Sequence, residues 1–320
     1  VSLLLVVFAA ACGREKPAPP RERITVALAM VSQASLVHVA LANGYFTGAG
    51  LDVTVQPYAF GKPALDALLA GKADLATAAE TPVVLAILNG KPVSVVATIE
   101  RASDATVLVA RKESGIARPE DLAGKRVGRP AGTSAEFFLE TLLVRHSVAP
   151  EKIHLVDLRP DEMSDALATG RIDAVAIWNP YIVQIKRRLG GAVGVFAEDL
   201  YVETHNLVGR PGLVRERAAA VEKFIRGLLE AETFVREHPE EARRRVASAL
   251  AIDAADIDAI WEPFDFRVRL DQGLLVLLDD EARWAIRTGL APRQPTPNFL
   301  DALAFQPLQN VKPDAVRLIR

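Results

Sequence analysis

Apolar positions recur along the chain with two periods. Short runs rich in Val, Ile, Leu and Ala at residues 24–28, 50–55, 75–78 and 93–99 alternate with stretches whose apolar side chains stand three and four apart, such as Leu36, Val37, Ala40 and Leu41. The first kind predicts buried strands, the second amphipathic helices. Helices over 34–43, 63–70 and 82–88 between these strands predict a right-handed parallel βαβ sheet. A further apolar strand at 106–110 precedes a second series, with strands at 125–128, 153–157, 172–177 and 193–196 and helices at 134–146, 161–169 and 180–189. Residues 201–209 repeat the short apolar character of 106–110, and both are expected to cross between two lobes. From Pro211 the spacing is helical, over 218–236, 240–250, 254–260 and 274–288, with Pro239 and Pro263 as breaks. The less regular tail after Leu290 is expected to wrap the first lobe.

The two series echo each other. Residues 64–74, ALDALLAGKAD, are matched by residues 163–173, MSDALATGRID, so that Asp66, Gly71, Lys72 and Asp74 fall in step with Asp165, Gly170, Arg171 and Asp173. Each copy predicts a helix closed by glycine and leading into a strand. The same offset carries Ala79 and Glu80 onto Trp178 and Asn179. In residues 128–141, GRPAGTSAEFFLET, a strand turns through small residues into a helix, and Thr133 and Glu136 have the spacing of a capping box. Gly132 there allows close approach to backbone beside a helix N-terminus, which suits polar ligand atoms. Open parallel sheets hold ligands beyond the carboxyl ends of their strands.

Composition narrows the class. The chain has 320 residues, 50% hydrophobic and 24% charged, with a net charge of -2. That is ample for two cores, and the absence of a basic stripe argues against a nucleic-acid partner. The apolar run at residues 1–11 is too short to span a membrane but suits a signal-peptide core. It ends in Ala9-Ala10-Ala11-Cys12-Gly13, which resembles a bacterial lipobox, so Cys12 is expected to carry a lipid anchor and residues 13–23, GREKPAPPRER, to form a tether. With neither an initiator Met nor a basic stretch before the run, the true start is expected to precede Val1. The five histidines, His38, His146, His154, His205 and His238, lack metal-ligand spacing, and His38 and His146 are expected on helix surfaces. No catalytic set, metal or cofactor is expected.

Several stretches together carry a resemblance. They are Asn43-Gly44-Tyr45-Phe46 with Gly50-Leu51-Asp52-Val53, LAGKAD at 69–74, DLAGKRVG at 121–128, GTSAE at 132–136, and GRIDA at 170–174 followed by Trp178-Asn179-Pro180. The chain resembles the substrate-binding proteins of ABC importers in the sulfonate, nitrate, taurine and thiamine-precursor group. The resemblance implies an α/β type II periplasmic-binding-protein fold: two α/β lobes with a ligand cleft, two crossing strands and a helical C-terminal region. Its divisions are a lipoprotein signal segment 1–12, a tether 13–23, a first lobe of 24–108 and 206–320, and a second lobe of 109–205. It implies a monomer in the cell envelope, lipid-anchored on the periplasmic side, that captures a small organic molecule for an ABC permease and its ATPase.

Carried onto this chain, the cleft loops supply Ser32 and Gln33, then Ala79, Glu80 and Thr81, then Gly132, Thr133, Ser134, Ala135 and Glu136, and finally Trp178, Asn179 and Thr204. Glu136 at a helix N-terminus and Glu80 opposite it favour a neutral or nitrogen-basic ring, such as a thiamine-pyrimidine-like compound, over sulfonate, taurine or nitrate. If Glu136 turns away into its capping box, the anions stay open. Two other classes compete: a sensory receptor built from the same lobe pair, and a pyrimidine-forming enzyme of the kind that uses His and clustered cysteines, of which this chain has only Cys12.

Overall fold

Strand and helix alternate as the periodicity predicts. In the computed structural model, which describes residues 21–319, β1 (Glu22–Ala29) leads through a single 3-10 turn into α1 (Ser35–Ala42) and α2 (Tyr45–Gly48). There follow β2 (Leu51–Tyr58), α3 (Gly61–Leu69), β3 (Leu75–Ala79), α4 (Glu80–Leu88) and β4 (Ser94–Ala102). The second series comprises β5 (Thr106–Arg111), β6 (Arg126–Arg129), α5 (Ser134–Arg145), β7 (His154–Asp157), α6 (Pro160–Ala168), β8 (Ala174–Trp178), α7 (Tyr181–Leu189) and β9 (Val193–Phe196). The chain returns through β10 (Glu203–Gly209) to α8 (Pro211–Glu216), α9 (Ala218–Glu237), α10 (Pro239–Leu250) and α11 (Ala254–Ile260). It closes with β11 (Leu270–Asp271), α12 (Gln272–Thr288), α13 (Phe305–Val311) and β12 (Val316–Arg317). Cys12 and the apolar run before it lie outside the described residues. Among the described residues no helix is long and apolar enough to cross a membrane.

Two five-stranded sheets result, ordered β2-β1-β3-β10-β4 and β7-β6-β8-β5-β9. They are mixed, not all-parallel as the alternation predicts: β10 runs antiparallel to β3 and β4, and β5 antiparallel to β8 and β9. The reason is the route of the chain. A strand arriving from the other sheet enters at the carboxyl ends of its neighbours and must run back, whereas parallel neighbours need a crossover helix. Thr106 accordingly pairs with Trp178, the last residue of β8, and His205 with Ala79, the last of β3.

The sequence echo has a structural cause. Gly71 and Gly170, with φ of 75° and 69°, end the helices in the left-handed conformation that only glycine adopts without strain. The next aspartate then clamps the neighbouring strand twice. Asp74 Oδ2 accepts from Thr25 N (2.8 Å) while Asp74 N donates to Thr25 O (2.8 Å). Asp173 repeats this on Arg126, at 2.9 and 2.8 Å. Each copy therefore fixes the register of the parallel strand beside its own, β1 in one sheet and β6 in the other.

The C-terminal helices cover the first sheet. Phe224 of α9 stacks on Phe46 of α2 with centroids 4.2 Å apart, a contact worth roughly 1 kcal/mol beyond the area it buries. Edge strand β4 is covered by the tail, Ala304 N donating to Val95 O at 2.8 Å, and Gln294 Nε2 ties the tail to Leu88 O at the end of α4 at 2.7 Å. His38, expected on a helix surface, is 3% exposed instead, because it faces the first sheet, beside the Val31 backbone and His205 of β10. His146 is half-buried between Glu120 (3.1 Å) and Glu198 (2.6 Å).

Candidate functional site

The carboxyl ends of both sheets face a narrow cleft, and β10 forms its floor. Its cavity volume is about 20 Å³, room for a single water. Gln33, Phe60, Ala79 and Pro82 line it from the first sheet's loops, and Thr133, Ser134 and Trp178 from the second's. The rings of Phe60 and Trp178 meet across it, centroids 5.9 Å apart at 52°. Tyr181 packs edge-on to Trp178 at 6.4 Å, fixing the indole's plane.

Residues expected in the cleft fall into three groups. Gln33, Ala79, Thr133, Ser134 and Trp178 line it. Ser32, Glu80, Thr81, Ala135 and Thr204 are buried behind the lining, because each begins or borders an element whose inner face is turned to the core. Gly132 N donates to Glu136 Oε2 (2.7 Å), and Glu136 Oε1 is paired with Arg129 Nε (2.8 Å). That corrects the predicted capping box: Thr133 Oγ1 bonds Pro130 O at 2.7 Å, and Glu136 spends itself on Gly132 and Arg129, turned from the cleft. Asn179 does not line the cleft but a separate groove beside the linker between β4 and β5.

Glu203 and His205 line the cleft, with Phe60 and Lys62; His205 is the weaker companion of Thr204 on the return crossing, while Glu203 and Phe60 stand outside the expected set. The signal for the first two was strand alternation, which puts residues two apart on the same face of β10. Glu203 Oε2 accepts from Thr106 Oγ1 (2.6 Å) and Tyr201 Oη (3.4 Å). Burial raises its pKa, and hydrogen bonds from Thr106, Ser134, Tyr201 and Gln33 oppose the rise. Gln33 and Ser134 belong to opposite lobes, so Glu203 is the polar tie at the base of the cleft. His205 is pushed down to about 3 by burial and then by neighbouring His38, which burial itself lowers to about 4. Both rings are neutral, and His205 Nε2 has no hydrogen-bond partner. Such an atom can meet a polar group of a ligand.

Beneath the floor the carboxyl groups crowd. Glu80 Oε2 accepts from Thr204 N (2.7 Å) and Thr204 Oγ1 (2.9 Å), while Glu281 of α12 accepts from Thr81 Oγ1 (2.8 Å). Glu80 and Glu281 are themselves within hydrogen-bonding reach, and each keeps one oxygen with no donor. Two facing carboxylates would repel, so a proton sits between them. Burial first, then Glu203, pushes Glu80 up to about 8. Glu100 on β4, opposite His205, is fully buried and raised well above the usual carboxylate range by burial and by Glu203 and Glu80. Among the described residues no group of His, Cys, Asp and Glu is arranged to hold a metal ion.

Comparison with known proteins bears on this geometry. The family model described as NMT1/THI5 like matches residues 32–242. The formylaminopyrimidine-binding protein of Halalkalibacterium halodurans is 28% identical over 254 residues, 76% of each chain. Among solved structures, the alkanesulfonate-binding protein SsuA from Xanthomonas axonopodis pv. citri, bound to MOPS, superposes with a TM-score of 0.78 over 89% of this chain and 99% of its own, at 18% identity. The desulfurization enzyme DszB superposes with a TM-score of 0.69 over 92% of this chain and 99% of its own, also at 18% identity. At those identities the superpositions show a shared periplasmic-binding-protein fold.

Proposed function

The chain belongs to the NMT1/THI5-like family, and from that premise we propose that it is the substrate-binding component of an ABC importer, acting at the periplasmic side as a monomer and without turnover. One observation carries this best: a cleft between two sheets, joined by two crossing strands, whose lining combines an aromatic pair with the polar atoms of Gln33, Glu203 and His205. A flat ring entering between Phe60 and Trp178 would part them, and closure would seal it. The favoured ligand is a neutral or nitrogen-basic ring, pyrimidine-like in its N–H groups, which Glu203 can accept. The name of the relative from Halalkalibacterium halodurans, a formylaminopyrimidine-binding protein, agrees with this choice.

A sulfonate, taurine or nitrate ligand is the second reading, and one observation favours it. Glu136 is neutralised by Arg129, so the N-terminus of α5 at Thr133 and Ser134 keeps its attraction for an anion. Against it, the lining carboxyl of Glu203 would repel an anion. Lys62, a lining cation, is bound to Asp66 at 3.1 Å. A thermal-shift screen of the full chain against aminopyrimidines, alkanesulfonates and nitrate separates the two. Stabilisation by a pyrimidine is expected, since a ligand that binds only the folded state raises its melting temperature. Stabilisation by sulfonates alone would exchange the two readings, and conversion of the bound compound would refute a receptor that only binds.

Anchoring through Cys12 completes the proposal. The Cys12→Ala chain is expected to move from the membrane pellet to the soluble envelope fraction with its melting temperature unchanged. Retention in the pellet would refute the anchor.

A further inference from the structure

Beside the linker between β4 and β5 lies a groove of about 440 Å³, far roomier than the cleft itself. Its walls come from the linker between β4 and β5, the ends of β5 and β9, α7 of the second series, and α11 with the turn after it in the C-terminal region. Val107, Ile182, Ile260 and Phe264 make it apolar. Two oxygens inside it are unusual. Asn179 is 9% exposed and its Oδ1 has no hydrogen-bond partner, and Asp104 Oδ1 is likewise buried and unpartnered. Buried acceptors left without donors are costly, and most native ones are satisfied.

The other charges at the groove differ. Arg187 is held by Asp253 and, at 2.7 Å, by Asp256, and the exposed Lys186 sits at the rim. Asp104 is thus the lining carboxylate without a cation. Two acceptors above an apolar wall do not suit a bare metal ion, which needs six or more oxygens if calcium, or a largely hydrated octahedron if magnesium. They suit an ammonium on a hydrocarbon body.

We propose that this groove is a second small-molecule site, taking a compound with an apolar body and a protonated amine that donates to Asp104 Oδ1 and Asn179 Oδ1. Because the walls come from both sides of the hinge, an amine bound there touches the linker, α7 and α11 together. It is therefore placed to bias opening of the cleft, and by reciprocity the cleft ligand biases it.

Phenethylamine and its neutral counterpart 2-phenylethanol are the probes, measured on the full chain by saturation-transfer NMR and calorimetry. The amine is expected to bind about tenfold more tightly than the alcohol, the usual scale of a charge-assisted hydrogen bond. Asp104→Asn should erase that difference. Ala259→Trp, on an exposed position of α11 at the groove, should abolish binding of both without touching the core, and so decides the matter if Asp104→Asn fails to fold. Amine binding that survives Ala259→Trp but vanishes in Trp178→Ala would place the amine in the cleft and overturn the proposal, as would no binding of the amine. Neither result bears on whether the cleft takes an import substrate.

Discussion

Between pH 6.5 and pH 8 the folded chain is expected to lose about 2 kcal/mol of stability through Glu80 alone. An unfolded Glu80 has its ordinary value near 4.5 and is fully ionised across this range, whereas the buried one holds its proton up to about 8. A folded pKa raised above the unfolded value gives stability that is complete below the unfolded pKa and is lost as pH rises through the folded one. Glu100 and Glu281, raised well above the usual range, act in the same direction. Below pH 6.5 two histidines oppose them. His38 and His205, lowered to about 4 and about 3, contribute stability above 6.5 that is lost as pH falls toward those values. Between pH 6.5 and 4.5 the two sets work against each other, so the steep, uncompensated slope lies above pH 6.5. Urea unfolding at pH 6.5 and 8 should show that slope, with Glu80→Gln flattening it by about 2 kcal/mol. A flat profile between pH 6.5 and 8 in the unmutated chain would mean the carboxyls are ionised in the fold.

Replacing Trp178 by alanine is expected to weaken the cleft ligand by about a hundredfold, since the indole supplies most of the flat apolar surface opposite Phe60 and each kcal/mol of lost burial is about fivefold in affinity. The side chain is only 5% exposed, so the same change removes packing worth roughly 3 kcal/mol of stability. Trp178→Phe separates the two effects. It should restore most of the melting temperature and part of the affinity. Glu203→Gln then identifies the ligand's charge. For a nitrogen-basic ring it should cost about 2 kcal/mol, the difference between a charged and a neutral acceptor, whereas an anionic ligand would bind as well or better. An unchanged affinity in both variants, measured by calorimetry, would move the ligand out of this cleft.

The architecture was legible because it is written in local periods. The glycine-aspartate echo located both sheets, and its meaning, a clamp on the neighbouring strand's backbone, needs no distant residue to be recognised. The parallel run broke where β5 and β10 insert, since strand direction depends on where the chain arrives, not on its residues. The site was half legible. Trp178, Gln33, Thr133 and Ser134 stand at strand ends and helix starts, which sequence can find. Glu203 and His205 were obscured because their meaning lies in neighbours 70 to 170 positions away: Glu203 faces Gln33, Thr106 and Ser134, and His205 is lowered partly by His38. Glu281 in α12 lies outside the expected site, and its place there depends on its approach to Thr81 and Glu80, some 200 positions earlier. Glu136 was misjudged for a related reason, since its partner Arg129 lies across the turn, not along the helix.

The position of β10 in its sheet also orders the birth of the fold. The sheet of β5 to β9 is built wholly from residues 106–196, so every strand it needs is present before β10 leaves the ribosome or a translocation channel. The other sheet has a gap at its centre until then: β3 and β4 are both made within the first 102 residues, yet neither borders the other, and the strand that joins them begins at Glu203. Through the synthesis of about a hundred residues, two apolar strands therefore keep open edges, the kind that pair with other chains. The first half of this protein to be made is the second to be finished, and the interval is when it most needs a chaperone.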